Sequence, residues 1–140
     1  MAVSATTLTA GDTRELLLVE DLRRTQIVMY AGASGDYNPL HSDEPFARDV
    51  AGYPGVFAHG MLTMGMTGRL LTDWFGDGRL DRFGVRFVQQ VWPGDTLTAR
   101  ATVEAVREER GGWVADVSVV TTNQDGDTVV TGTATARLDP

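Results

Sequence analysis

Cysteine and lysine are both missing from this 140-residue chain, and histidine occurs only twice, at His41 and His59. Without cysteine there can be no disulfide framework, thiolate zinc site or cysteine nucleophile, and the absence agrees with a reducing, cytoplasmic setting. Without lysine, Schiff-base and lysine-base mechanisms fall away, and every one of the 12 side-chain cations is an arginine. Two imidazoles are too few for a multi-histidine centre, so no metal is expected and any imidazole chemistry must pass through His41 or His59. Positive charge is scarce, with 19 carboxylates against those 12 cations and a net charge of −7, which opposes nucleic-acid binding. Long apolar runs are also lacking. The least polar window, 56–75, is broken by His59, Arg69 and Asp73 and is too polar to span a bilayer. The first residues have neither the charged start nor the apolar centre of a signal peptide, so a cytoplasmic protein is expected. The length suits one domain over 1–140, with 1–13 read as a loose arm or short edge segment.

What the chain does have is Gly35-Asp36-Tyr37-Asn38-Pro39-Leu40-His41, which gathers a carboxylate, an amide and an imidazole. Asn38-Pro39 is a turn signal, because proline fixes its own φ and steers the residue before it away from the helical region. Asp36 and His41 can therefore converge, and a carboxylate beside an imidazole can give one proton while taking another. The same residues also fit a helix-ending Asx-turn with a surface histidine.

Taken in order, Leu16-Leu17-Leu18-Val19 suits a first strand, and Leu22, Gln26, Ile27, Met29 and Tyr30 suit a short amphipathic helix. Asp21 is its possible cap, and Gly32, Ser34 and Gly35 end it. Pro45 opens a helical turn, and Gly52-Tyr53-Pro54-Gly55 reads as a connector. Over 58–75, Met61, Leu62, Met64, Met66, Leu70, Leu71, Trp74 and Phe75 lie almost all round a helix, so this helix is expected to be enclosed. Its glycines at 60, 65 and 68 suggest close approach of another backbone. The rest alternates with period two: Val85 and Phe87; Leu97 through Ala105; Trp113, Ala115, Val117 and Val119; Val130 through Leu138. Those are half-buried antiparallel strands, with turns at Trp92-Pro93-Gly94-Asp95, Arg110-Gly111-Gly112 and Asn123-Gln124-Asp125-Gly126. The class is α+β.

Three further stretches accompany the loop: Tyr30-Ala31-Gly32-Ala33-Ser34-Gly35 before it, Ala58-His59-Gly60-Met61-Leu62, and Val85-Arg86-Phe87 with Pro93-Gly94-Asp95-Thr96-Leu97. Together, over 21–138, they resemble the MaoC-like, or R-specific enoyl-thioester hydratase, branch of the hot-dog superfamily, including the catalytic subunits of mycobacterial-type 3-hydroxyacyl-carrier-protein dehydratases. The resemblance implies a single hot-dog domain, a curled antiparallel β-sheet around the long central helix. It also implies a lyase of fatty acid metabolism that acts on coenzyme A or acyl-carrier-protein thioesters without a cofactor. Such proteins are generally dimers, and a heterodimer with a second hot-dog subunit is the variant arrangement. By the same resemblance Asp36 and His41 form the acid/base pair, Asn38 orients it, and the Gly60 N–H receives the thioester carbonyl.

Arg86, Met61 and His59 are the candidate substrate contacts, with Arg82 beside Arg86 as a possible phosphate ligand. His59 is read first as packing the start of the central helix and holding the loop that bears Gly60, and as a second catalytic imidazole otherwise. Gln89-Gln90-Val91-Trp92 departs from the apolar-Pro-Val stretch of the family pattern. A hot-dog thioesterase and a non-catalytic partner subunit are the competing functions.

Overall fold

The computed structural model describes residues 3–140. Its elements are β1 (Thr13–Val19), α1 (Arg24–Ser34), α2 (Gly60–Phe75), β2 (Leu80–Phe87), β3 (Leu97–Glu109), β4 (Gly112–Thr122) and β5 (Thr128–Leu138). A 3-10 turn at Pro39–His41 and a π-type turn at Phe46–Val50 lie between the helices. The strands form one antiparallel sheet in the order β1-β3-β4-β5-β2. β3 and β4 make a long hairpin closed by Arg110 and Gly111, whose φ values of 54° and 78° are both left-handed, as a tight two-residue turn with the twist of its strands requires.

Residues of α2 sort into rows four apart. Leu62, Met66, Leu70 and Trp74, with Thr63, Thr67, Leu71 and Phe75, are buried. Met61, Gly65, Arg69 and Asp73 are exposed. The sheet accommodates the buried rows because its facing positions are small: Ala99, Ala101, Ala115 and Ala136 are all fully buried, leaving depth for the larger helix side chains. At about 25 cal/mol per Å² of apolar surface, this interlocking is the main stabilising term of the fold.

The expected enclosure of the helix on every side is corrected: the sheet curls round the buried rows and leaves the Met61–Asp73 side uncovered. The glycines also differ from expectation. A methyl on Gly60 would sit 3.0 Å from the Phe87 ring, one on Gly68 would sit 3.1 Å from the Phe83 ring, and Gly65 faces open space. Aromatic side chains of β2, rather than sheet backbone, occupy the room those two glycines provide.

Other expectations are adjusted by longer-range contacts. The segment before β1 is tied down, not loose. Ala5 N–H donates to Asp139 O at 2.8 Å, Gly11 N–H donates to Val103 O at 2.8 Å, and Leu8 is buried; Met1 and Ala2 lie outside the described residues. Asp21 does not cap α1. It adopts φ 54°, its N–H donates to Thr96 Oγ1, and the cap position falls to Arg23 without a side-chain hydrogen bond. Met29 lies on the open side of α1, and Trp113, next to the hairpin turn, stays partly exposed.

Two positions test this packing. Thr67 on α2 and Thr121 on β4 are both fully buried and share a 2.7 Å hydroxyl–hydroxyl hydrogen bond. Replacing either by Val strands the other hydroxyl and should cost about 1–3 kcal/mol in urea unfolding. The double Val variant should recover part of that loss, and simple additivity of the two costs would refute the coupling. Gly132→Ala should destabilise by about 1–3 kcal/mol or more, because a methyl there would run into the Gly84 carbonyl and Val85 of β2; unfolding at wild-type urea concentration would contradict it.

Candidate active site

The loop that carries Asp36, Asn38 and His41 begins where α1 stops. Gly35 takes φ 74°, closing the helix with its N–H on Ala31 O, and the chain then turns back on its own side chains. Asp36 N–H donates to Ser34 Oγ at 3.1 Å, and Asn38 N–H donates to Asp36 Oδ1 at 3.2 Å. Asn38 Oδ1 in turn accepts from Leu40 N–H at 3.1 Å, capping the turn that carries Pro39 and His41. The Asn38 amide thus acts on His41 through the backbone. Asp36 itself is exposed.

His41 is half-buried, and its Nδ1 lies 2.6 Å from Phe57 O. A carbonyl can only accept, so Nδ1 carries the proton and Nε2 is left as a bare lone pair, the arrangement of a base ready to act. Burial pulls the His41 pKa below its ordinary value. The Phe57 carbonyl opposes that pull; His59 adds to it and Asp36 counters it.

His59 lies against the other face of that ring. The two imidazoles stack with centroids 3.9 Å apart and planes 28° apart, and Tyr30 meets His59 edge-on at 4.8 Å. His59 is only 1% exposed. Its Nε2–H donates to the main-chain oxygen of Asp36 at 3.0 Å, and its Nδ1, also buried, has no hydrogen-bond partner among the described residues. An unpaired buried acceptor costs about 1–3 kcal/mol, so this is an unusual place for a side chain that only fills space. Asp36, His41 and His59 bring ligand atoms within 4.8 Å of one another. Two of the four imidazole nitrogens, His41 Nδ1 and His59 Nε2, are engaged by main-chain oxygens.

Residue 59 is also the cap position of α2. Gly60 follows it, and the Gly60 N–H has no acceptor among the described residues. A helix N-terminus carries partial positive charge, and a donor free in its first turn can meet a developing oxyanion. Beside it opens a mostly apolar cavity of about 260 Å³, lined by Phe57, Ala58, Gly60, Thr63, Phe87 and Val91 among others.

The 42–58 connector is fastened by Glu44, which the sequence reading passed over. Its carboxylate accepts from Arg24 at 2.6 and 3.3 Å and from Val56 N–H at 3.3 Å, and pairs with Arg48 at 3.1 Å. The Arg24 hydrogen bond holds the Glu44 carboxyl below the usual carboxylate range. The carboxylate sits close over Gly55, where a methyl would stand 2.7 Å from Glu44 Oε1 and push it aside. Pro54-Gly55 and the Glu44/Arg48 spacing of four were the only local signals of this clamp.

The remaining candidates lie apart from this cluster. Met61 is exposed and lines an open groove with Met64, Gly68, Leu80 and Phe83. Arg82 is held by Glu109 at 2.8 Å. Arg86 is exposed on β2 and makes no ion pair among the described residues. Gln89 and Gln90 border the cavity beside Gly60, while Val91 is buried and its carbonyl accepts from Ala58 N–H at 2.8 Å. The unusual stretch therefore still supports the start of α2. No helix among the described residues is long and apolar enough to cross a membrane.

Comparison with known proteins gives consistent results. The (R)-hydratase from A. caviae involved in PHA biosynthesis is 30% identical, with a TM-score of 0.82 over 94% of this chain and 98% of that one. The ChsH1-ChsH2 complex from Mycobacterium tuberculosis contains a chain that is 26% identical, with a TM-score of 0.80 over 94% of this chain and 99% of that chain. The 3-hydroxyacyl-thioester dehydratase Y of Mycobacterium tuberculosis is 42% identical over 79 residues, 54% of this chain, and the match spans only 27% of that longer protein. The family model described as the MaoC like domain matches residues 5–129. With that match over most of its length, and with a five-stranded antiparallel sheet curled round α2, the chain belongs to the MaoC-like domain family and has its hot-dog fold.

Proposed function

We propose that this protein is an R-specific hydro-lyase that interconverts trans-2-enoyl thioesters and (3R)-3-hydroxyacyl thioesters, with the acyl group carried on coenzyme A or an acyl-carrier protein. One observation carries the reading. His41 has its Nδ1–H committed to Phe57 O and a ring nitrogen within 4.8 Å of an Asp36 carboxylate oxygen, and His59, stacked on it, is followed by Gly60, whose N–H has no acceptor among the described residues. The family relatives named above supply the substrate class, and the R configuration follows the hydratase from A. caviae.

In the dehydration direction, His41 Nε2 takes the α-proton. The electron pair of the broken C–H bond moves toward the thioester carbonyl, whose oxygen gains charge opposite the Gly60 N–H. That pair then forms the Cα–Cβ double bond as the Cβ–O bond breaks, and Asp36 gives a proton to the departing hydroxyl to make water. In hydration the Asp36 carboxylate takes the proton of water while its oxygen bonds Cβ, and the imidazolium returns a proton to Cα. The pair holds one transferable proton at the start in either direction, and each direction returns the other's starting state. The apolar cavity beside Gly60 receives the acyl chain.

A second chain of the same fold completes the assembly in this reading. β2 is an edge strand; Phe87 and Val88 at its end are exposed, and it borders the groove of Met61, Met64, Leu80 and Phe83. An exposed apolar edge of this kind favours pairing with another chain. The ChsH1-ChsH2 neighbour is a complex, which supports a heterodimer as the variant of a homodimer.

Crotonyl-CoA added to the purified protein should lose its enoyl-thioester absorbance without release of free thiol. Asp36→Asn and His41→Ala should each lower kcat by about 100-fold or more, in line with the usual worth of a positioned acid or base. Unchanged rates in both variants would sink the assignment, and thiol release with the double bond intact would point to a thioesterase. Light scattering of the active protein should report two chains; an active monomer would rule out the second-chain requirement.

A further inference from the structure

We infer that His59 is a positioning residue which, through its Nε2–H on the Asp36 carbonyl and its ring stacked on His41, holds both members of the acid/base pair in register with the Gly60 N–H. The inference rests on the hydratase reading and adds a residue to it. Asp36 and His41 belong to a loop that follows α1, whereas Gly60 opens α2, so their common geometry needs a part that touches both. His59 is adjacent to Gly60 in the chain and reaches back 23 residues to the Asp36 main-chain oxygen at 3.0 Å. Its ring lies 3.9 Å from that of His41. Tyr30 of α1 closes its exposed edge, leaving the side chain only 1% accessible.

The direction of the hydrogen bond is fixed by chemistry. The Asp36 oxygen is a carbonyl and accepts, so His59 must carry its proton on Nε2. The two histidines are therefore opposite tautomers. His41 is protonated on Nδ1, against Phe57 O, and His59 on Nε2, against Asp36 O. Each ring is anchored by a backbone carbonyl, as imidazoles are where their orientation matters. His59 does not touch the reacting atoms in this scheme. It works through the loop it pins and through the ring it covers. The groups facing His41 are Asp36 on its own loop, His59 at the start of α2, and the Phe57 carbonyl of the connector.

The two contributions can be separated. His59→Gln keeps an N–H where Nε2 stands but gives up the stacked ring, whereas His59→Phe keeps a ring but gives up the donor. Crotonyl-CoA hydration by His59→Phe should fall in kcat by at least about thirtyfold with KM changed less than about threefold, the pattern of a misplaced catalytic pair rather than lost substrate contact. His59→Gln should recover at least about tenfold of that loss. Each variant leaves His41 as the sole imidazole, so its Cε1 proton resonance reports its titration directly; the midpoint should rise in both variants, because both lose the His59 charge that lowers it, and rise further in His59→Gln, where water also gains access to the ring.

If His59→Phe does not fold, His59→Asn, whose amide replaces Nδ1 and falls short of Asp36, takes its place. A kcat loss in the donor-free variant no greater than that in His59→Gln would overturn the inference, since a space-filling role needs no donor. A nitrogen-15 spectrum of the unmodified protein adds a test that needs no turnover. It should find one histidine protonated on Nδ1 and the other on Nε2, and a proton on Nδ1 of His59 would also overturn the inference. A wild-type chain that leaves crotonyl-CoA unchanged strikes the hydratase reading instead, and the tautomer measurement still decides on His59.

Discussion

The packing of α2 into the curl of the sheet is the constraint on which the rest of the molecule depends. Two rows of side chains, running from Leu62 to Trp74 and from Thr63 to Phe75, enter a sheet surface on which Ala99, Ala101, Ala115 and Ala136 leave depth for them. The buried Thr67–Thr121 hydrogen bond fixes the rotation of the helix about its axis, because hydrophobic contact alone is non-directional. The helix axis then aims the free N–H groups of the first turn out of its N-terminus, at Gly60. Residue 59 must then emerge beneath the loop that follows α1. The site is a consequence of where the helix begins.

Around that beginning, polarity is organised by backbone carbonyls acting on imidazoles. Phe57 O and Asp36 O each accept from one histidine, and because a carbonyl has no proton to offer, they assign opposite tautomers to two stacked rings. Burial then lowers the basicity of His41 while leaving Nε2 available. Glu44 serves the same end from a distance. By joining Arg24 on α1 to Arg48 and the Val56 N–H, it holds the connector that presents the Phe57 carbonyl. The clamp is exposed and screened by water, so its value lies in orientation more than in stability.

The uncovered side of α2 and the outer edge of β2 stand apart from this economy of small contacts. Met61, Met64, Leu80 and Phe83 form an apolar groove on the side opposite the buried rows, and Phe87, at the far end of the same strand as Leu80 and Phe83, lines the cavity beside Gly60. The same aromatic residue therefore touches the start of α2 and the open edge. Closure of that edge by another chain would bear directly on the cavity, which is why assembly and catalysis belong together in the proposed function.

Much of the fold was legible from local pattern. Period-two alternation over β3 to β5, glycine and proline at the turns, and a long apolar stretch at 58–75 depend on neighbours in the chain, and these elements formed close to where the pattern put them, the helix starting two residues later at Gly60. The turn geometry of the Asp36–His41 loop was legible for the same reason: Gly35 takes a left-handed φ, and Asn38 caps its own turn within two residues. Sequence could not tell which side of α2 would stay open, because an all-round apolar helix looks alike whether one sheet or two cover it. It also missed the partners that meet only when distant segments pack. His41 finds Phe57 O 16 residues on, His59 reaches Asp36 across 23, and Glu44 takes Arg24 across 20. The sequence by itself determined which chemical groups were available and which turns would carry them. The tertiary structure decided their tautomers, their burial and the side left open, because those depend on which atoms approach through space.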